Sequence, residues 1–525
     1  LTGLFAVTLL LLLSPIAQAE LKVANVFSDH MVLQQEMPIR VWGWAKPGST
    51  VVVGLSDLRV ADATSLKAGD DGKWFVELKP RKAEGKTLKL QVTSGDETVE
   101  FKDILMGEVW ICSGQSNMEW SVARSANPKE EIAAANYPMI RMFNVPAHVK
   151  QNTPQKDAQA AKWQICTPQT VAGFSACGYY FGRALNKELN VPIGLVGTNW
   201  GGTRIEPWTP PVGFAKVPQL KNISNAVASL DPTSEKGKAA RAQYMTRVQA
   251  WTAQAEKNLA AGKEIGSAPQ LAINPPGGAT QIYNGMVAGL TPLSARGVIW
   301  YQGESNAGDG LKYNYMKEAL VKGWRETFQN EDLSFYWVGL AGFGRGQTNQ
   351  PAGGGWGPVR EGQRRALRIP NTGMAVTTDI GHVSDIHPKN KQDIGQRLAL
   401  WALAKNYGKD VTCSGPMYKS HEVKGNTVVV HFDHVGSGLM SATKGGTHLM
   451  DPVKATPGKA LESFSIRDDK GAWHWATATI AGDTVVLKSD KVAKPTAVRY
   501  AYDSMPKVNF YNKEGLPAVP FTTVD

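Results

Sequence analysis

Ser116 stands in Gly114-Gln115-Ser116-Asn117-Met118, directly after the apolar run Val109-Trp110-Ile111-Cys112. A serine hydroxyl attacks a carbonyl only when the fold exposes it, a base takes its proton and donors await the oxyanion. A strand-to-helix turn provides the exposure. The unpaired N–H groups at the helix start provide part of the donor set. The same position also suits a plain helix N-cap. Position 118 is Met, so the segment is not the G-x-S-x-G elbow of the α/β-hydrolases.

Three later segments offer the missing parts. Gly197-Thr198-Asn199-Trp200-Gly201-Gly202-Thr203-Arg204 follows a buried-type strand, and its paired glycines let a backbone N–H approach a pocket closely. Arg204 beside it can pair with a sugar carboxylate or make a surface ion pair. In Trp300-Tyr301-Gln302-Gly303-Glu304-Ser305-Asn306 a strand ends in a polar cluster, the usual site of a ligand crevice in an α/β sheet. Gln302 carries an amide suited to an oxyanion, and Glu304 and Asn306 can hold substrate hydroxyls. Ser384-Asp385-Ile386-His387-Pro388 supplies the best general base, His387, with an acid two residues earlier. His382 is a second candidate base. Trp120, Trp200, Trp208 and Tyr301 can stack on a sugar or fill the core.

These groups need a scaffold. The chain has 525 residues, which implies two to four domains. Apolar content of 42% with 20% charged residues is that of a folded protein. Residues 20–103 carry short apolar runs between Pro-Gly and Gly-Asp turns, the pattern of a small β-sandwich. Residues 104–410 alternate strand and helix signals, which implies a mainly parallel sheet with helices on both faces. An insertion over about 209–279 opens on Pro210-Pro211 and contains a helical stretch. Residues 411–525 return to β patterning.

The net charge is +11, with basic residues scattered among acids, so no nucleic-acid partner is expected. Residues 1–19 read as a secretory leader, with Ala17-Gln18-Ala19 as the cleavage pattern. The expectation is export to a periplasmic or extracellular space without stable membrane insertion. Four cysteines, Cys112, Cys166, Cys177 and Cys413, have no zinc spacing. A Cys166–Cys177 bridge and free buried thiols are both open. His431, Asp433 and His434 are explained by strand alternation better than by a metal. No cofactor or metal is expected.

The segments together resemble the sialate O-acetylesterase family of SGNH-type serine esterases. Cys112 to Trp120 is similar to its nucleophile block, Trp200-Gly201-Gly202-Thr203 and Trp300 to Asn306 to its second and third blocks, and Asp385 to Lys391 to its histidine block. Phe27 to Gln34, Pro38 to Gly43 and Tyr511 to Phe521 match its two ends. The resemblance implies a flavodoxin-like SGNH hydrolase domain between β-sandwich-like domains, removing acetyl groups from sugars. Ser116 would be the nucleophile, His387 its base and Asp385 the orienting acid. The oxyanion hole would use Ser116, Gly201 or Gly202, and Gln302. Gln115, Arg204, Glu304 and Asn306 would bind substrate. SGNH proteins often place the acid three residues before the histidine, but here Asp385 is two before it. A Ser–His dyad held by a backbone carbonyl is therefore an alternative. Sialate is the family substrate, acetylated xylan or another polysaccharide the close alternative, and a non-catalytic carbohydrate-binding protein the alternative of another class.

Overall fold

A computed structural model describes residues 20–55, 63–271, 275–346, 348, 350–351 and 353–524. The leader expected over 1–19 lies outside the described residues. Among the described residues no helix is long and apolar enough to cross a membrane.

One strand organises the front half of the chain. β1, Glu97–Gly114, is 18 residues long, half-exposed over its first part and buried from Ile104 onward. Its first part pairs antiparallel with Leu88–Ser94. Its last part is the centre of the main sheet, with β2 (Tyr137–Asn144), β3 (Gln164–Cys166), β4 (Ile193–Asn199), β5 (Gly297–Tyr301), β6 (Ser334–Val338) and β7 (Thr372–Ala375). The order across this sheet is β3-β2-β4-β1-β5-β6-β7. All neighbours in it run parallel except the edge strand β3. Continuous apolar runs such as Gly297-Val-Ile-Trp-Tyr301 are what a strand buried on both faces requires.

Helices cover both faces, as the alternation implied. α1, Ser116–Glu119, is a single turn at the end of β1. α2 (Ala176–Leu189), α3 (Tyr313–Thr327), α4 (Gly357–Arg365) and α5 (Lys391–Lys405) complete the layers. A 26-residue helix, Glu235–Ala260, lies within the expected insertion and buries little beyond Gly237.

The N-terminal strands share one continuous hydrophobic core with the main sheet. The point expected to separate them, 103/104, falls inside β1. The strands beyond Cys413 form smaller antiparallel sheets around a second core of Val430, Phe464, Tyr500 and Phe510. All four cysteines are buried and free. Burial pushes the Cys177 thiol up to about 11, so it stays protonated and inert at neutral pH.

Candidate active site

The parallel strands end at a common crevice, and the sequence segments converge there. β1 terminates at Gly114, whose φ is +141°. A Cβ there would stand 2.1 Å from the Tyr301 carbonyl of β5, so only glycine lets the chain turn this close to its neighbour. Ser116 follows as the first residue of α1, half-buried at the crevice floor. The Ser175 hydroxyl caps α2 by accepting from the Gly178 N–H and itself donates to the Met118 carbonyl. The turn that carries Ser116 is thus tied to a long helix.

His387 Nε2 lies 3.0 Å from Ser116 Oγ. The imidazole stacks on Trp120, with ring centroids 4.5 Å apart and planes 17° from parallel. Burial, and next the Lys391 ammonium, push its pKa below the usual histidine value. Asp385 opposes this, while Lys389 and Arg124 add to it. The ring is therefore kept neutral and ready to accept a proton.

Asp385 is placed beside this pair without holding it. Its Oδ1 is 3.6 Å from His387 Nδ1, beyond a hydrogen bond. The same oxygen accepts from the His387 backbone N–H at 2.9 Å, and Oδ2 lies 3.1 Å from Lys389 Nζ. Although partial burial raises its pKa, these two partners hold the carboxyl below its ordinary value. His382 is turned elsewhere: its Nδ1 accepts from the Asp385 and Ser384 N–H groups, at 3.1 and 3.3 Å.

Several expected site groups have other partners, and the reasons are local. The Gln302 amide is fully buried and donates to Asn306 Oδ1 at 2.7 Å and to the Thr203 carbonyl at 3.2 Å. It is not free to serve an oxyanion. Asn306, also fully buried, donates to Glu206 and Asp309 and accepts from Gln302 and the Ile205 N–H, so it ties loops together and does not face a substrate. Arg204 forms ion pairs with Glu206 at 2.7 Å and Asp309 at 2.6 Å, which neutralise the charge a sugar carboxylate would need. The Gly201 N–H donates to Glu119 Oε2 at 2.7 Å. Gly201 nevertheless sits against Ser116, for a Cβ on it would be 3.3 Å from Ser116 Cβ. Gly202 lies next to it, exposed, with φ +72°. Gln115 accepts from the Ser305 N–H at 3.3 Å. Trp208 and Tyr301 are core residues, and Trp120 is buried under His387. Trp200 is half-exposed and stacks on His148, whose Nε2 is 3.2 Å from Glu119 Oε1.

Behind Ser116 lies a polar network that the segments contain but that their order does not reveal. Asn117 Nδ2 donates to Glu304 Oε1 at 2.6 Å and to the Ile386 carbonyl at 3.0 Å. Asn117 Oδ1 accepts from the buried Lys391 Nζ. One side chain therefore joins the Ser116 turn, the end of β5, the histidine loop and the start of α5. Glu304 is not at the substrate face, because its carboxylate points into this network. Burial raises its pKa, and Oε2 has no partner among the described residues. Burial also pushes Lys391 down to about 8. A lysine at the first position of a helix opposes the helix dipole, and that misfit is the sequence signal of a specific partner.

Among the described residues no group of His, Cys, Asp or Glu is arranged to hold a metal. A cavity of about 490 Å³ opens beside His387, walled on its far side by His448, Leu449 and Met505.

An α/β sheet presenting a serine and a neutral histidine in contact is the construction of a carboxylic ester hydrolase. The family model "Carbohydrate esterase, sialic acid-specific acetylesterase" matches residues 106–242 and 260–404. That is more than half of the chain, and the protein belongs to this family of carbohydrate esterases. The chain is similar to a solved carbohydrate acetylesterase from Xanthomonas citri, with 32% identity, 96% of this chain and 99% of that one covered and a TM-score of 0.75. It is also similar to the sialate O-acetylesterases of Homo sapiens and Pongo abelii. Each is 28% identical over 538 residues, with 95% of this chain and 92% of the relative covered.

Proposed function

We propose that the protein deacetylates sugars through an acetyl-enzyme formed on Ser116. The observation that carries this reading is the 3.0 Å contact of His387 Nε2 with Ser116 Oγ. Ser116 attacks the acetyl carbonyl as His387 takes its proton. The intermediate collapses, and His387 returns the proton to the departing sugar oxygen. Water activated by the same imidazole then releases acetate. A non-catalytic carbohydrate binder has no need of this pair.

The oxyanion is served by the Ser116 N–H at the start of α1. The Gly201 N–H joins it when Glu119 gives way to the incoming ester, with the Gly202 N–H adjacent. The 3.6 Å gap at Asp385 favours a Ser–His dyad in which stacking on Trp120 holds the imidazole.

The strands β4-β1-β5-β6-β7, counted in chain order, run 2-1-3-4-5, the flavodoxin-like order. This supports an SGNH hydrolase domain over 104–410, with its insertion and with β-rich regions before and after it. The leader pattern supports export to a periplasmic or extracellular space. O-acetylated sialic acid is the substrate the relatives favour. The neutralised Arg204 favours, as a second reading, an uncharged acetylated polysaccharide such as xylan.

Acetate release from O-acetylated sialic acids, acetylated xylan and p-nitrophenyl acetate tests this. Ser116→Ala and His387→Ala should each abolish turnover on every ester cleaved by the unaltered protein, with the far-UV spectrum unchanged. Near-normal turnover by Ser116→Ala would overturn the mechanism.

A further inference from the structure

The leaving group is protonated by His387, so it must lie on the histidine side of the crevice. The cavity of about 490 Å³ that His387 lines is bounded on one wall by the histidine loop, including Val383, Asp385 and His387. Its other wall comes from the β-rich region beyond Cys413, through His448, Leu449 and Met505. Such a volume lies within the range of about 300–1,000 Å³ that takes a drug-sized ligand, and it far exceeds what an acetyl group needs.

Both walls are built and fixed. His448 and Leu449 are consecutive non-glycine residues in the left-handed region, at φ +57° and +56°. Such conformations are costly and persist where the surroundings impose them, often at ligand clamps. Here Asn390 Nδ2 donates to the Leu449 carbonyl at 2.8 Å, and the nearly buried Lys444 pairs with Asp393 at 2.7 Å. Asn390 and Asp393 are the cap and the first turn of α5, just past His387. The Met505 segment is pinned by the Phe343 N–H donating to the Ser504 carbonyl at 3.1 Å. Val383, at the rim, is an apolar side chain left 55% exposed. Apolar surface from Val383, Leu449 and Met505 suits the C–H face of a pyranose. His448, Asp385 and Lys389 suit its hydroxyls.

We propose that this cavity is a leaving-group subsite for a sugar chain, so that the preferred substrate is an acetylated oligosaccharide and not a free acetylated monosaccharide. The proposal rests on the ester-hydrolase reading of Ser116 and His387. It assigns the region beyond Cys413 a share in substrate selection.

The test uses the full chain with the best-cleaved of acetylated xylotetraose, cellotetraose and sialyl-lactose, the matching acetylated monosaccharide, and p-nitrophenyl acetate. The oligosaccharide should exceed the monosaccharide in kcat/KM by about tenfold or more, the worth of one or two sugar contacts. In Val383→Ser and His448→Ala, the ratio of oligosaccharide to p-nitrophenyl acetate kcat/KM should fall by about tenfold. Val423→Ser, exposed on a strand remote from the cavity, should leave that ratio unchanged. Equal kcat/KM for chain and monomer, or an unchanged ratio in both cavity variants, overturns the subsite and leaves the esterase standing. No turnover of any ester by the unaltered protein overturns the esterase reading, and the subsite with it.

Discussion

Asp385→Asn separates a triad from a dyad, and the structure sets its size. Asparagine keeps an oxygen where Asp385 Oδ1 accepts the His387 N–H at 2.9 Å, so the loop should hold its shape. What is lost is one negative charge 3.6 Å from the imidazole. At about 4 Å a full charge pair is worth about 4 kcal/mol at an effective dielectric of 20. The pair with Lys389 at 3.1 Å and a side chain 36% exposed discount that strongly. The remainder is about 1–2 kcal/mol, or about tenfold in kcat/KM. An acid that hydrogen-bonds Nδ1 and fixes the tautomer would cost about 10⁴-fold. The pH profile gives a second reading with a definite sign. Asp385 raises the His387 pKa, so its removal lowers it further and the acid limb of kcat/KM moves to lower pH. A loss near 10⁴-fold would refute the dyad, and a limb moving to higher pH would refute the charge argument.

Two further outcomes follow from the same groups. In the unaltered protein the acid limb should lie below the ordinary histidine value of about 6.5, because burial and the Lys391 charge keep His387 neutral into acid. Lys391→Met removes that charge and should move the limb upward, a shift that a merely structural role would not produce. Asn117→Ala takes from the buried Lys391 ammonium the side-chain oxygen it donates to and frees the Ile386 carbonyl. It should lower stability by about 1.5–3 kcal/mol in urea unfolding, the scale for losing a buried hydrogen bond to a charged group. An effect below about 1 kcal/mol, the size of a surface pair, would mean that the network does not hold the two loops together.

The strand and helix candidates around the site were readable because each carries one clear period. Gly297–Tyr301 is a continuous apolar run and folds over those same residues. Ile394, Leu398 and Trp401 recur at helical spacing, and the chain is helical there over Lys391–Lys405. β1 was harder to read, since its first half is patterned for one exposed face and its second half for two buried faces. Within the crevice, residue type and order drew attention to Ser116 and His387, which the fold brings into contact. They said nothing of direction. Gln302, Glu304 and Asn306 all stand at one strand end, yet each side chain turns inward to a partner from a distant segment. Lys391 and Asn117 were in view within the same segments, but their connection needs 274 residues of chain to be folded back.

The course of β1 also fixes what the molecule can be divided into. The strand that ends beside Ser116 begins in the N-terminal sheet, and both parts share one core. A chain beginning at Ile104 would lose Leu88, the ladder partner of Ile104, and expose the apolar face the N-terminal strands cover. The Ser116–His387 pair therefore stands on a sheet that is continuous with the N-terminal strands. Loss of the N-terminal strands would reach Ser116 through β1, the strand that pairs with Leu88–Ser94 and ends at Gly114.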